Sequence, residues 1–193
     1  HAEGDLAVEG GTLTVTRSTE GLEGSTITIA GGETRVTASD DGLNATQGST
    51  ASSTQGGQGG GGMQDDGSLL TISGGTLTVD AGGDGLDSNG TIVVTGGTTT
   101  VNGPTMNGNG ALDSNGGITV TGGTLAAGGS SGMAESPGSA STTGWVAVAF
   151  PSAVPAGKTV TVVKDGTVVA TFTTTKETAS LVVAAEGITS GES

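Results

Sequence analysis

In DGLDSNGTIVVTGGTTTV, residues 84–101, two alternating apolar runs flank a Gly-Gly pair. Ile92 and Val94 precede Gly96-Gly97, and Thr99 and Val101 follow it. Strict alternation sends these side chains to one face of a strand and their neighbours to the other. The glycine pair marks a corner, where the backbone needs positive φ or close packing. The unit recurs. Gly10-Gly11, Gly31-Gly32, Gly74-Gly75, Gly96-Gly97 and Gly122-Gly123 are spaced 21, 43, 22 and 26 residues apart. A period near twenty is the signature of a solenoid, and the long gap is one repeat plus an insertion of similar length.

Each repeat carries the same inner positions. Leu6 and Val8, Ile27 and Ile29, Leu70 and Ile72, Ile92 and Val94, and Ile118 and Val120 lie before the pair. Leu13 and Val15, Thr34 and Val36, Leu77 and Val79, Thr99 and Val101, and Leu125 and Ala127 lie after it. A third inward point follows at Leu22, Leu43, Leu86, Leu112 and Met133. Coiled once per repeat, this pattern predicts an all-β, right-handed parallel β-helix with three stacked inner columns. A helical reading fails, because no i, i+3, i+4 pattern exists and Gly, Thr and Val are poor helix formers.

The expected β-helix spans residues 1–137. Residues 46–64, rich in Gly, Ser and Gln, cannot supply a core strand and are expected to loop outward so that the second and third rungs still stack. From residue 138 a polar linker leads to a C-terminal antiparallel β cap. Trp145–Phe150, Thr159–Val163, Thr167–Thr173 and Ser180–Ala184 read as its strands, with Lys164-Asp165-Gly166 as a hairpin turn. Trp145, the only tryptophan, is expected over the core of the last rung. The chain opens in mid-repeat, because His1-Ala2-Glu3-Gly4 aligns with Asp87-Ser88-Asn89-Gly90, so a natural precursor is expected to extend further.

Net charge is −14 with only five Lys plus Arg among 193 residues. Nothing could neutralise nucleic-acid phosphates, and an anionic membrane surface is disfavoured for the same reason. Cysteine is absent, which removes disulfides and thiol chemistry. No apolar run approaches the roughly 18 residues of a membrane span, and no stretch reads as a signal peptide.

The acidic residues form ladders. Glu20, Asp41 and Asp84 occupy one equivalent position, and Glu23, Asn44, Asp87 and Asp113 another; Asp40 and Asp66 lie nearby in sequence. Residues on adjacent rungs stack about 4.8 Å apart, where like charges raise each other's pKa. A calcium ion, with six to eight oxygen ligands at about 2.3–2.6 Å, fits between carboxylates one rung apart. Asp-Gly pairs also serve as plain tight turns, and repetition in register is what favours the metal. Zinc would want His or Cys, and the only histidine is His1. Outward threonines at 12, 76, 98 and 124, and at 14, 78 and 100, form further ladders; Glu33 and Arg35 interrupt them, which favours sheet pairing over an ice-binding plane.

The runs DGLDSNGTIVVTGGTTTVNGP, NGNGALDSNGGITVTGGTL, SGMAESP and TVVATFTTTKETASLVV resemble secreted bacterial carbohydrate-binding β-helix proteins. That family is similar in fold to polysaccharide lyases, binds calcium, and associates with cellulose and pectin. The resemblance implies calcium-ligand roles for Asp41, Asp84, Asp87 and Asp113. The chain departs from the pattern at Glu20 and Glu23, where the carboxylates are longer, and at Gly110, where an Asp is expected.

These readings lead to a non-enzymatic, extracellular, calcium-dependent module that binds a polysaccharide, cellulose or pectin-like, with the acidic glycan preferred. The metal set is Glu20, Glu23, Asp40, Asp41, Asn44, Asp84, Asp87 and Asp113. A structural or filament subunit, self-associating through the solenoid ends, is the alternative. A pectate-lyase-like enzyme is disfavoured, because β-elimination needs a base beside the metal and Arg17 and Arg35 lie outside the acidic motif.

Overall fold

The computed structural model describes residues 1–47 and 64–188, and within them the chain is all-β with no helix. The first repeat forms β1 (Asp5–Val8), β2 (Thr12–Ser18) and β3 (Leu22–Gly24), and the second β4 (Thr26–Ile29), β5 (Glu33–Ala38) and β6 (Leu43–Ala45). The third forms β7 (Leu69–Ile72), β8 (Thr76–Ala81) and β9 (Leu86–Ser88), and the fourth β10 (Thr91–Val94), β11 (Thr98–Asn102) and β12 (Leu112–Ser114). The fifth supplies β13 (Gly117–Val120) and β14 (Thr124–Gly129). Then come β15 (Trp145–Val154), β16 (Thr159–Lys164), β17 (Thr167–Thr173) and β18 (Thr178–Ala184).

Corresponding strands of successive repeats pair in parallel. The first sheet runs β1-β4-β7-β10-β13, the second contains β2-β5-β8-β11-β14, and the third runs β3-β6-β9-β12. The registers reproduce the columns read from the sequence. Leu6, Ile27, Leu70, Ile92 and Ile118 align in the first sheet. Val15, Val36, Val79, Val101 and Ala127 align in the second, and Leu22, Leu43, Leu86 and Leu112 in the third. From Ile27 to Ala127 these side chains are buried in one cluster, whereas Leu6, Val8, Leu13 and Val15 of the first repeat are only partly buried against it.

The glycine pairs are required twice over. Gly97 has φ 80°, a left-handed conformation that side chains rarely adopt. A Cβ on Gly96 would strike the carbonyl oxygen of Ser73 one repeat below. Asp-Gly-Leu glycines serve differently: Gly85 has no positive φ, but a Cβ there would collide with the Val101 side chain and the Ala111 carbonyl.

Pairing of β4 with β7, β5 with β8 and β6 with β9 stacks the second repeat directly on the third, across the insertion. Of the loop expected at 46–64, residues 48–63 lie outside the described residues. Met133 corrects the inner column: its side chain is 44% exposed, and its carbonyl rather than its side chain lies over Gly110. After β14 the next place in the second sheet is taken by β18, so the chain beyond Gly129 turns outward instead of forming another inner rung.

β18 pairs antiparallel with β14, and β15 antiparallel with β18. Trp145 packs against the main core as expected. The β16–β17 hairpin turns at Asp165 (φ 51°) and Gly166 (φ 78°), as an Asp-Gly turn requires. It carries Phe172 into a second cluster with Ala126, Leu181 and Val183 on the other side of the second sheet. Lys176 fixes the far end of this element, donating to the Ala81 carbonyl at 2.6 Å and pairing with Asp80 at 2.7 Å.

Thr34 and Thr99 sit in the core at 0% exposure, and their hydroxyls have no hydrogen-bond partner. Burying an unsatisfied hydroxyl costs about 1–3 kcal/mol. Thr99→Val should therefore raise stability by about 1 kcal/mol, while Gly97→Ala should lower it by more than about 1 kcal/mol. Denaturant unfolding of both variants checks the pair.

Candidate functional site

Three-residue strands build the acidic column. In β3, β6, β9 and β12 the middle residue points away from the core, and register aligns Glu23, Asn44, Asp87 and Asp113. Each is half-buried between two inward neighbours. The turn before each strand sets the second ladder. Gly21 N–H donates to the Asp41 carbonyl, Gly42 N–H to Asp84, and Gly85 N–H to Gly110, so Glu20, Asp41, Asp84 and Gly110 follow one another up the stack.

The carboxylates of this second ladder bond to backbone one repeat on. Asp41 Oδ1 accepts from Asp84 N–H at 2.7 Å, and Asp84 Oδ1 accepts from Gly110 N–H at 2.6 Å. The missing Asp at 110 is thus a place where only a backbone donor is used. Asn44 Nδ2 makes long contacts to Glu20 Oε2 at 3.4 Å and Asp41 Oδ2 at 3.5 Å, and Asn44 Oδ1 is buried without a partner. Asp40 Oδ1 and Asp41 Oδ1 converge on Gly83, where a Cβ would meet both.

Two acids have partners outside the column, Glu23 from within the ladder and Asp66 from beyond it. Glu23 Oε2 pairs with His1 Nδ1 at 2.8 Å. Asp66 accepts from Ser68 N–H at 2.8 Å and Gln47 N–H at 3.1 Å, a turn role away from the column. Glu135 joins the column unforeseen, its Oε2 accepting from Ser114 N–H at 3.1 Å on the edge of β12. It lies beyond the last repeat, so no register in the sequence points to it; its proximity to Asp113 arises from the path after β14.

Electrostatics binds the group together. Burial, then the charges of Asp41, Asp113 and Asp84, push Asp87 up to about 8. Burial also pushes Asp84 up to about 6; the Gly110 hydrogen bond opposes this, while Asp113, Asp41 and Asp40 add to it. Asp41, Glu20 and Glu135 are raised as well, burial first in each case. Among the described residues neither Asp87 nor Asp113 has a side-chain hydrogen bond or ion-pair partner.

The donor set is all oxygen and mostly anionic, with one buried amide oxygen unpartnered, which suits a hard cation such as calcium. Among the described residues, however, no three His, Asp or Glu side chains stand together in a metal-holding arrangement. The carboxylates are strung along the stack at strand spacing rather than gathered around one point.

A family model described as carbohydrate-binding domain-containing protein matches residues 1–192. Neither a curated protein nor a solved structure matches the chain.

A carboxyl group whose pKa is raised by folding stabilises the fold fully below its unfolded value and loses that contribution as pH climbs through the folded value. In chelator, stability should fall as pH rises from about 3.8 through about 6 and 8, the span set by Asp84 and Asp87. Asp87→Asn should raise the melting temperature at pH 8 and flatten that slope, as thermal melts across the range would show.

Proposed function

The chain belongs to the family of carbohydrate-binding domain-containing proteins, and from that premise we propose a non-catalytic, calcium-dependent polysaccharide-binding module acting outside the cell. In this reading the three parallel sheets are the walls of one parallel β-helix over residues 1–137, and the chain from 138 caps it. Right-handedness follows the general chirality of parallel crossovers, obeyed in about 98% of cases. What supports the coil is the shared rung order of the three sheets.

The single observation that carries the calcium reading is the half-buried column of Glu20, Asp41, Asn44, Asp84, Asp87 and Asp113, with the exposed Asp40 beside it, in which burial first and neighbouring charges second raise Glu20, Asp41, Asp84 and Asp87. These residues, with Glu135 at the column's end, would hold the cation. A bound calcium supplies positive charge that the column and a glycan's carboxylates could share. That favours an acidic, pectin-like ligand over cellulose, because a chain of net charge −14 otherwise repels a polyanion. Stacking contributes little: Phe172 is buried, and Trp145 and Phe150 are partly buried against the two cores. Two of the five Lys and Arg residues that could serve as a cationic base for β-elimination are held by other carboxylates. Arg35 is paired with Glu33 at 2.7 Å and Lys176 with Asp80 at 2.7 Å.

Retention on insoluble pectin should require calcium, vanish in chelator and be lost in the Asp84→Asn/Asp87→Asn double variant. Calcium at a hundredfold excess over Kd should stabilise the wild type by about 2.7 kcal/mol. Retention on neither pectin nor cellulose removes the glycan reading, and pectin retention indifferent to chelator removes the calcium. Ultraviolet-absorbing unsaturated uronate products would make the protein a lyase.

A further inference from the structure

Parallel sheets must end somewhere, and an open edge presents unpaired N–H and C=O groups to any other strand. At the C-terminal end of this molecule two of the three edges are closed. On β13, the Ile118 carbonyl accepts from Gly138 N–H, and the Val120 carbonyl accepts from Thr142 and Thr143 N–H. The Val120 N–H donates to Ser141 Oγ. On β12, Ser114 N–H donates to Glu135. The second sheet is instead prolonged by β18 and then by β15, which is its edge.

The first part of β15 carries little of the usual edge protection; Pro151 and a register shift between Ala149 and Val154 blunt only its second part. Over Trp145–Phe150 it is uncharged, Pro-free and apolar, with the sequence WVAVAF. Ala147, Val148 and Ala149 are consecutive exposed residues, so neither face of the strand is covered there; Val148 is 42% exposed. The strands of the first repeat differ. β1, β2 and β3 carry Asp5, Arg17 and Glu23.

We propose that β15 is a homotypic interface, in which two copies of the chain pair antiparallel along Val146–Phe150 about a twofold axis at Val148. The sequence is self-complementary in that register. Val148 meets Val148 of the partner, Val146 meets Phe150, and Ala147 meets Ala149, which sets branched and aromatic pairs on one face and small residues on the other. The interface is isologous, so it closes as a dimer instead of growing into a fibre. Charge selects it as well. Two chains of net charge −14 repel each other, and at β15 they meet without an acidic side chain on the strand. The β16–β17 hairpin lies against the face of the sheet, sharing a cluster with Val146 and Phe150, and pairs with none of its strands. This inference is independent of the glycan and of calcium.

Light scattering over a concentration series should show the apparent mass double, equally with calcium and with chelator. Val148→Lys should hold the protein at monomer mass with an unchanged circular-dichroism spectrum and a melting temperature that no longer depends on concentration, whereas Val163→Lys, at an exposed valine on the hairpin, should leave the dimer intact. Because the chain has no cysteine, Val148→Cys offers a second reading: opposed Cα atoms at about 4.5–5.5 Å lie within disulfide range, so oxidation should link two chains far faster than in Val163→Cys. A monomer throughout the series, a dimer that survives Val148→Lys, or equal cross-linking of the two cysteine variants would overturn the proposal.

Discussion

In-register parallel pairing between successive repeats is the constraint on which the rest of this molecule depends. When each strand lies one strand spacing from its own equivalent, every side chain meets a copy of its own position. Inside, that makes continuous columns of Leu, Ile and Val. At the corners it brings the backbone of one repeat against the next so closely that Gly96 has no room for a Cβ. A misfit in one repeat would be felt by the repeats on either side of it.

The same constraint makes the acidic column expensive. Apolar side chains gain by being stacked on themselves, but carboxylates lose, because burial first and neighbouring charges second disfavour their ionised form. The two ladders resolve it differently. Asp41 and Asp84 each turn one oxygen onto a backbone N–H of the next repeat, so they help to fasten the stack they strain. Among the described residues Asp87 and Asp113 have no such outlet, and Asp87 is the most strongly shifted of the group. Residues that a fold does not need, and that cost it stability, are where a function is best sought.

The ends of the stack follow from the same pairing rule. A parallel stack has no intrinsic reason to stop, and the chain stops it by reversing direction. β18 enters the second sheet antiparallel, residues 138–143 and Glu135 satisfy the other two edges, and the hairpin seals the outer face with Phe172. The device leaves one new edge, β15, whose exposed valine and alanines pair with no further strand among the described residues.

The sequence by itself determined the three columns, the corners and the register of the ladders, because periodicity is a local property and self-stacking converts it directly into contact. Leu22, Leu43, Leu86 and Leu112, and Glu23 with Asn44, Asp87 and Asp113, stand where their spacing places them. Where the repeat ends, legibility ends with it. Met133 fits the spacing yet turns outward, because β18, some fifty residues on, occupies the next place in the sheet. Glu135 joins the acids only through the path the chain takes after β14. The unsatisfied amide oxygen of Asn44, the backbone role of Asp41 and the open edge of β15 likewise depend on which atoms the fold brings together. Periodicity specifies what lies above and below a residue; only tertiary structure decides what meets the ends, because those contacts join segments that share no pattern.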